Sequence, residues 1–286
     1  MRRFVLEIVF FAILLIGSYA GYYAYCMHKT RLSKADIYAW GDSRMYYGLN
    51  TELLEELTNT KVVTTAKEGA SVYDMLVFVD RVPDYSVCIL GYSECVLFRF
   101  HEQDYNRSGC NWKVLSQMGW NTNYTIDELY GIAKNNIWEP KQIETETHAY
   151  FENGDTVCTP EPWPGWYKMY TDTFPRFEAK GRCYEMAIRK LLDKQCTVIL
   201  LDLPGYPEME RFAAEGSPNR QLAEELTQHI CNEFEIPQYV IEIASDSLLY
   251  YDLSHLNERG SILLTKALQN QIDKTKYIRL IINEKL

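Results

Sequence analysis

The chain has 286 residues, 47% of them apolar, enough for one large buried core or two small ones. A formal net charge of −10, with no Lys/Arg stripe, is the wrong sign for gripping a phosphate backbone and argues against a nucleic-acid partner. No internal repeat or low-complexity tract points to a solenoid or a disordered chain.

Residues 4–25 form the first feature. Their apolar centre is Ile8-Val9-Phe10-Phe11-Ala12-Ile13-Leu14-Leu15-Ile16, and Glu7 is the one ionised side chain in the span, close to Arg2 and Arg3. At about 1.5 Å per residue the span is just long enough to cross a bilayer. Tyr19, Tyr22, Tyr23 and Tyr25 would form an interfacial aromatic belt at its far end. We read residues 1–26 as a membrane anchor. A cleaved signal peptide is the competing reading, with Ser18-Tyr19-Ala20 as a passable cleavage site. Cys26 makes a poor lipidation site because Tyr25 stands where a small residue is wanted. Residues 27–34 are a short polar tether, and Lys29, Arg31 and Lys34 balance the charge of Arg2 and Arg3, so the flanks leave orientation open.

Residues 35–286 read as the folded domain. Ala35-Asp36-Ile37-Tyr38-Ala39 predicts a buried strand ending at Gly41, whose lack of a side chain lets the backbone turn sharply into Asp42-Ser43. Residues 51–57 have helical spacing. Lys61-Val62-Val63-Thr64-Thr65 is a short β-branched strand, and Gly69 opens the next turn. Residues 72–79 predict a helix with Met75, Leu76 and Val79 on one face, broken at Pro83-Asp84. Ser86-Val87-Cys88-Ile89-Leu90-Gly91 is a third buried strand. Such strand–helix alternation builds a parallel sheet with right-handed crossovers.

The pattern is lost over about residues 95–180, which carry Trp112, Trp120, Trp138, Trp163 and Trp166. A structureless loop that long is unusual, so this stretch reads as an inserted aromatic-rich subdomain or lid. Its rings would stack well on sugar faces, or they form the insertion's own small core. Asn106-Arg107-Ser108 and Asn123-Tyr124-Thr125 are sequons that matter only in a eukaryotic secretory host.

Regularity returns with a helix over residues 182–194, carrying Met186, Ile188, Leu191 and Leu192, and a buried strand Thr197-Val198-Ile199-Leu200-Leu201-Asp202. Pro204-Gly205-Tyr206-Pro207 should turn above the carboxyl end of the sheet, on the side of Ser43. Ser217-Pro218 starts another helix, with proline near N1, and Gln238-Tyr239-Val240-Ile241-Glu242 is a fifth strand. Residues 258–272 close the domain as a helix with Ile262, Leu263, Leu264 and Leu268 inward, and residues 277–282 form a further apolar segment. Of the 8 cysteines, Cys88, Cys95, Cys183 and Cys196 read as small core residues. Cys110 and Cys158 would pair only if the polar middle is oxidised. No Cys-x-x-Cys or His-x-x-x-His spacing suggests a metal, and no metal or organic cofactor is expected.

The chemistry-bearing residues fall in short blocks. Ser43 follows a strand and a glycine, where open α/β sheets place reactive side chains. A hydroxyl nucleophile needs a base, and an imidazole needs a partner that fixes its tautomer. Asp252 and His255, three apart just before the last helix, can supply both from one loop. Gly41-Asp42-Ser43, Glu68-Gly69-Ala70-Ser71, Gly91-Tyr92-Ser93-Glu94 and Asp252-x-x-His255 resemble, in order and strand context, the four blocks of the SGNH (GDSL-type) hydrolase family. The likeness covers about residues 35–94 and 182–275.

That resemblance implies a three-layer α/β/α sandwich around a flavodoxin-like parallel sheet of about five strands. It implies Ser43 as nucleophile, His255 as base, Asp252 as orienting acid, and an oxyanion hole from the Ser43 and Gly69 amides plus a third-block side chain. The family has asparagine there and this chain has Ser93, a shorter donor. Arg44 and Glu94 are candidate substrate contacts; Arg44 would otherwise pair with Asp42 or Glu68, and Glu94 would otherwise be a solvated loop charge. The expected reaction is hydrolysis of an O-acylated, in the first instance acetylated, envelope polysaccharide or glycolipid by a membrane-anchored domain on the extracytoplasmic side. The alternatives are O-acyl transfer to a surface glycan, with a membrane acyltransferase as partner, and a non-catalytic binding module of the same fold.

Overall fold

A computed structural model describes residues 2–29, 32–93, 96, 177–207, 211, 218–243 and 246–274. Glu94, almost all of the proposed insertion and residues 277–282 lie outside these. Five parallel strands form one sheet: β1 (Ile37–Trp40), β2 (Val62–Thr64), β3 (Val87–Tyr92), β4 (Thr197–Asp202) and β5 (Gln238–Val240). Their order is β2-β1-β3-β4-β5, so the chain steps one way from β1 to β2 and the other way from β1 to β3. Such a reversal opens a crevice at the carboxyl ends of the two strands beside it.

Two faces of the sheet are covered, which fixes the three-layer α/β architecture. The pleat sends Tyr38, Trp40, Cys88, Leu90, Val198 and Leu200 into one core. There they meet α4 (Val72–Arg81), α5 (Phe177–Asp193) and α6 (Pro218–Phe234), through residues such as Phe78, Ile188 and Ile230. Ile37, Ala39, Val87, Ile89, Ile199 and Leu201 point the other way, onto α2 (Ser43–Gly48), α3 (Thr51–Thr58) and α7 (Glu258–Lys274). Strands buried on both faces explain why β3 and β4 read as nearly unbroken apolar runs. Full burial of each large side chain contributes about 1.5–3 kcal/mol, so both layers matter to stability.

Several expectations need adjusting. A helix, α2, starts at Ser43 itself, and α3 follows it after a two-residue break. Met186 and Leu192 only flank the core, and Leu263 on α7 is exposed while Leu264 and Leu268 are buried. Helix α5 begins earlier than its apolar spacing suggested. Gly41 does not have a positive φ; its value is space, because a Cβ there would stand 2.4 Å from Met45 Cβ. Cys88, Cys183 and Cys196 are buried free thiols, as their apolar neighbours implied, and Cys231 is a half-buried one.

Helix α1 (Arg2–Lys29) precedes the domain. Its window Val5–Tyr22 has a mean hydropathy of 1.9 with none of it buried, and is long and apolar enough to cross a bilayer. By length and composition it is a candidate membrane anchor or signal sequence.

Candidate active site

The site is built where β1 ends. Asp42 is the N-cap of α2: its carboxylate accepts the Arg44 amide at 3.0 Å, satisfying one of the orphan N–H groups of the first turn. The other carboxylate oxygen accepts the Ser93 hydroxyl at 2.7 Å, from just beyond β3. Both residues are buried. A serine hydroxyl has a single proton to donate, and here it goes to Asp42, which ties β3 to the serine turn. In this arrangement the Ser93 proton points to Asp42 and not into the crevice. Gly41 lets Met45 pack against Gly91 under this turn. Ser43 is left as the first helical residue, half-buried at the mouth of the crevice.

The second half comes from the loop before α7. A 3-10 turn at Ser247–Leu249 and an antiparallel bridge between Tyr250 and Leu256 close a small lobe. The Tyr251 amide donates to the His255 carbonyl at 2.8 Å, and the Asn257 side chain donates to Leu248 O at 2.8 Å. Asp252 and His255 sit within this lobe. One Asp252 oxygen accepts the amides of Ser254 and His255, each at 2.8 Å, which fixes the carboxylate. The Tyr206 amide donates to Leu253 O at 3.0 Å, so the turn after β4 supports the lobe as its position suggested.

These two halves meet. His255 Nδ1 lies 2.7 Å from the second Asp252 oxygen, and its Nε2 lies 2.9 Å from Ser43 Oγ. The carboxylate on Nδ1 favours the tautomer with the proton there, leaving Nε2 as acceptor for the serine proton. Ser254, which is buried, adds its hydroxyl at 3.1 Å from Nδ1 and 3.3 Å from Asp252. Burial pushes the Asp252 carboxyl pKa up, but the hydrogen bond and charge of His255, with the two backbone amides, more than offset this and hold it below its ordinary value.

Gly69 sits in the β2–α4 loop at φ 66°, in a turn closed by Ala70 N–H to Lys67 O at 3.3 Å. A positive φ at the third position is what glycine supplies to such a turn. The Lys67 amide donates to Gly41 O at 3.3 Å and Lys67 Nζ pairs with Asp74 at 3.0 Å, fastening this loop beside the serine turn. Asp74 also accepts the Ser71 amide, forming the capping box of α4. Arg44 is 4% exposed, and its Nη1 donates to Leu203 O at 3.5 Å, making it an internal tie to the end of β4. Glu94 lies outside the described residues.

Sequence reasoning missed Tyr47, one turn after Ser43. Its ring stands edge-to-face with His255, centroids 5.4 Å apart at 78°, and its hydroxyl donates to Glu68 Oε1. No motif links positions 47 and 68; only the i, i+4 relation of Ser43 and Tyr47 on one helix face hinted at it. Among the described residues, no group of three or more His, Cys, Asp or Glu is gathered as a metal site would need.

No family model matches the chain, and no curated protein does. Among solved structures, it is similar to a candidate SGNH hydrolase from Slackia heliotrinireducens, at a TM-score of 0.41 and 11% identity, covering 82% of this chain and 96% of that one. At that score and identity the likeness adds nothing to what the sheet order already shows.

Proposed function

We propose that the chain is an SGNH-type serine hydrolase that cleaves esters through Ser43, His255 and Asp252. The observation that carries this reading is one imidazole within hydrogen-bond reach of both a serine hydroxyl and a carboxylate, from residues 212 positions apart in sequence. Ser43 Oγ attacks the carbonyl carbon as its proton passes to His255 Nε2. Asp252 stabilises the resulting imidazolium. The tetrahedral intermediate expels the alcohol, which takes the proton from Nε2, and leaves an acyl-serine. Water then attacks the acyl group with Nε2 as base, releasing acid and restoring Ser43.

The amides of Ser43 and Gly69 are the donors we assign to the oxyanion. The first N–H of a helix has no intrahelical acceptor and is available to a ligand. With the Ser93 hydroxyl given to Asp42, stabilisation rests on those two amides. A missing donor costs on the order of 10²–10³ in rate, so turnover should be slow on poor leaving groups.

The substrate class we assign is an O-acylated, in the first instance acetylated, polysaccharide or glycolipid of a cell envelope. Its supports are the exposed apolar helix α1 and the five tryptophans within residues 95–180. The commitment of Ser93 also favours a second reading, a binding module of the same fold that does no chemistry. The full chain in detergent, given O-acetylated polysaccharide, should release acetate. Ser43→Ala should lower that rate at least about 10³-fold. Acetyl groups appearing on an added glycan acceptor, instead of free acetate, would replace hydrolysis by acyl transfer. Folded protein that binds the glycan without turning it over would leave the binding module.

A further inference from the structure

We infer that Tyr47 and Glu68 act as a positioning pair that holds the His255 imidazole and the Gly69 loop in one register with Ser43. The inference rests on the serine-hydrolase reading above and adds to it two residues outside the Ser–His–Asp set. Tyr47 lies at i+4 from Ser43 on α2, so both project from the same side of the helix. Its half-buried ring contacts the imidazole edge-to-face, while its hydroxyl reaches Glu68 on the neighbouring loop. Three separate segments therefore meet at one side chain: the helix carrying the nucleophile, the lobe carrying the base, and the loop carrying the second proposed oxyanion amide.

Asp252 and Ser254 at Nδ1 and Ser43 at Nε2 hold the two ring nitrogens in the imidazole plane, and leave the ring small rocking motions about its Cβ–Cγ bond. The Tyr47 ring packed edge-to-face beside it limits that rocking. Glu68 immediately precedes Gly69, so fixing its carboxylate to Tyr47 also limits how far the Gly69 amide can drift from Ser43. Misplacing a reacting group by about 1 Å costs on the order of 10²-fold in rate. The pair touches no reacting atom in this scheme and works by placement.

The test uses the full chain in detergent, with the rate of Ser43 modification by a fluorophosphonate as the activity readout and the long-range ¹H–¹⁵N spectrum of the histidine rings as an independent one. The His255 signals are assigned by their loss in His255→Gln. Tyr47→Phe and Glu68→Ala should each slow modification about 10-fold, and the double variant should be no slower than either alone, because both break one bond. Glu68→Gln, which keeps an acceptor, should retain most of the rate, and Tyr47→Ala should lose about 10²-fold and broaden or shift the His255 signals. Effects on the limiting rate of Ser43 modification with little change in the half-saturating fluorophosphonate concentration, and unfolding midpoints near wild type, separate positioning from general stability. If rates and His255 signals in Tyr47→Ala match wild type, the pair does not position the imidazole. Should wild-type Ser43 fail to react, the hydrolase reading falls, and the His255 signals alone decide the pair: changed in Tyr47→Ala they support it, unchanged they overturn it.

Discussion

Asp252 is the residue whose environment is most fully determined. It accepts two backbone amides and the imidazole, and its pKa is held below the ordinary carboxylate value despite the opposing effect of burial. A depressed folded pKa stabilises the fold fully above the unfolded value of about 3.9, and that contribution is lost as pH falls through the lower folded value. Unfolding midpoints measured from about pH 6 to pH 3 should therefore fall more gently in Asp252→Asn than in wild type. The same variant at neutral pH should lose up to about 10⁴-fold in kcat, because the amide no longer favours the reactive tautomer. Ser93 makes an opposite kind of prediction. If its hydroxyl serves Asp42, Ser93→Ala leaves a buried carboxylate short of one donor and should cost about 1–3 kcal/mol in denaturant unfolding. Its rate should change less than 10-fold. A rate loss of 10²–10³ with unchanged stability would instead restore Ser93 to the oxyanion.

At the scale of elements, α2 explains both what the sequence revealed and what it concealed. The fold was legible where periodicity runs long: the run Thr197–Asp202 reads as a strand and forms one, and the helix opening at Pro218 was marked by its proline. Helix α2 has six residues, too few for a 3.6-residue period to show, so the sequence reads as a turn into Asp42-Ser43. Ser43, Asp252 and His255 were visible because each sits in a short block at a predicted element boundary. The Asp42–Ser93 and Tyr47–Glu68 bonds were not, because they are tertiary contacts between helix α2 with its cap and two separate loops, with no fixed spacing in sequence. Gly41 links this element to the sheet. In Gly41→Ala the added carbon meets Met45 Cβ at 2.4 Å and Gly91 Cα at 3.4 Å, positions set by backbone rather than by a flexible chain end. That variant should lose about 1–3 kcal/mol in denaturant unfolding, with Ser43 reactivity falling alongside as α2 shifts.

Across the whole molecule, the reversal of strand order between β1 and β3 places the serine turn, the Gly69 loop and the Asp252–His255 lobe at one end of the sheet. Among the described residues, neither apolar core includes one from α1. Deleting residues 1–29 should leave the unfolding midpoint of the domain within about 1 °C while moving the protein from the detergent phase to the aqueous phase. A large drop in midpoint would show that α1 packs on the domain. The hydrolase reading depends above all on a reactive Ser43. Treating the full chain with a fluorophosphonate and mapping the adduct by peptide mass spectrometry is the most direct check. One adduct is expected, on Ser43, lost in Ser43→Ala and slowed by at least about 10²-fold in His255→Gln; a folded wild-type protein carrying no adduct, or the same adduct at the same rate without His255, would overturn the hydrolase reading.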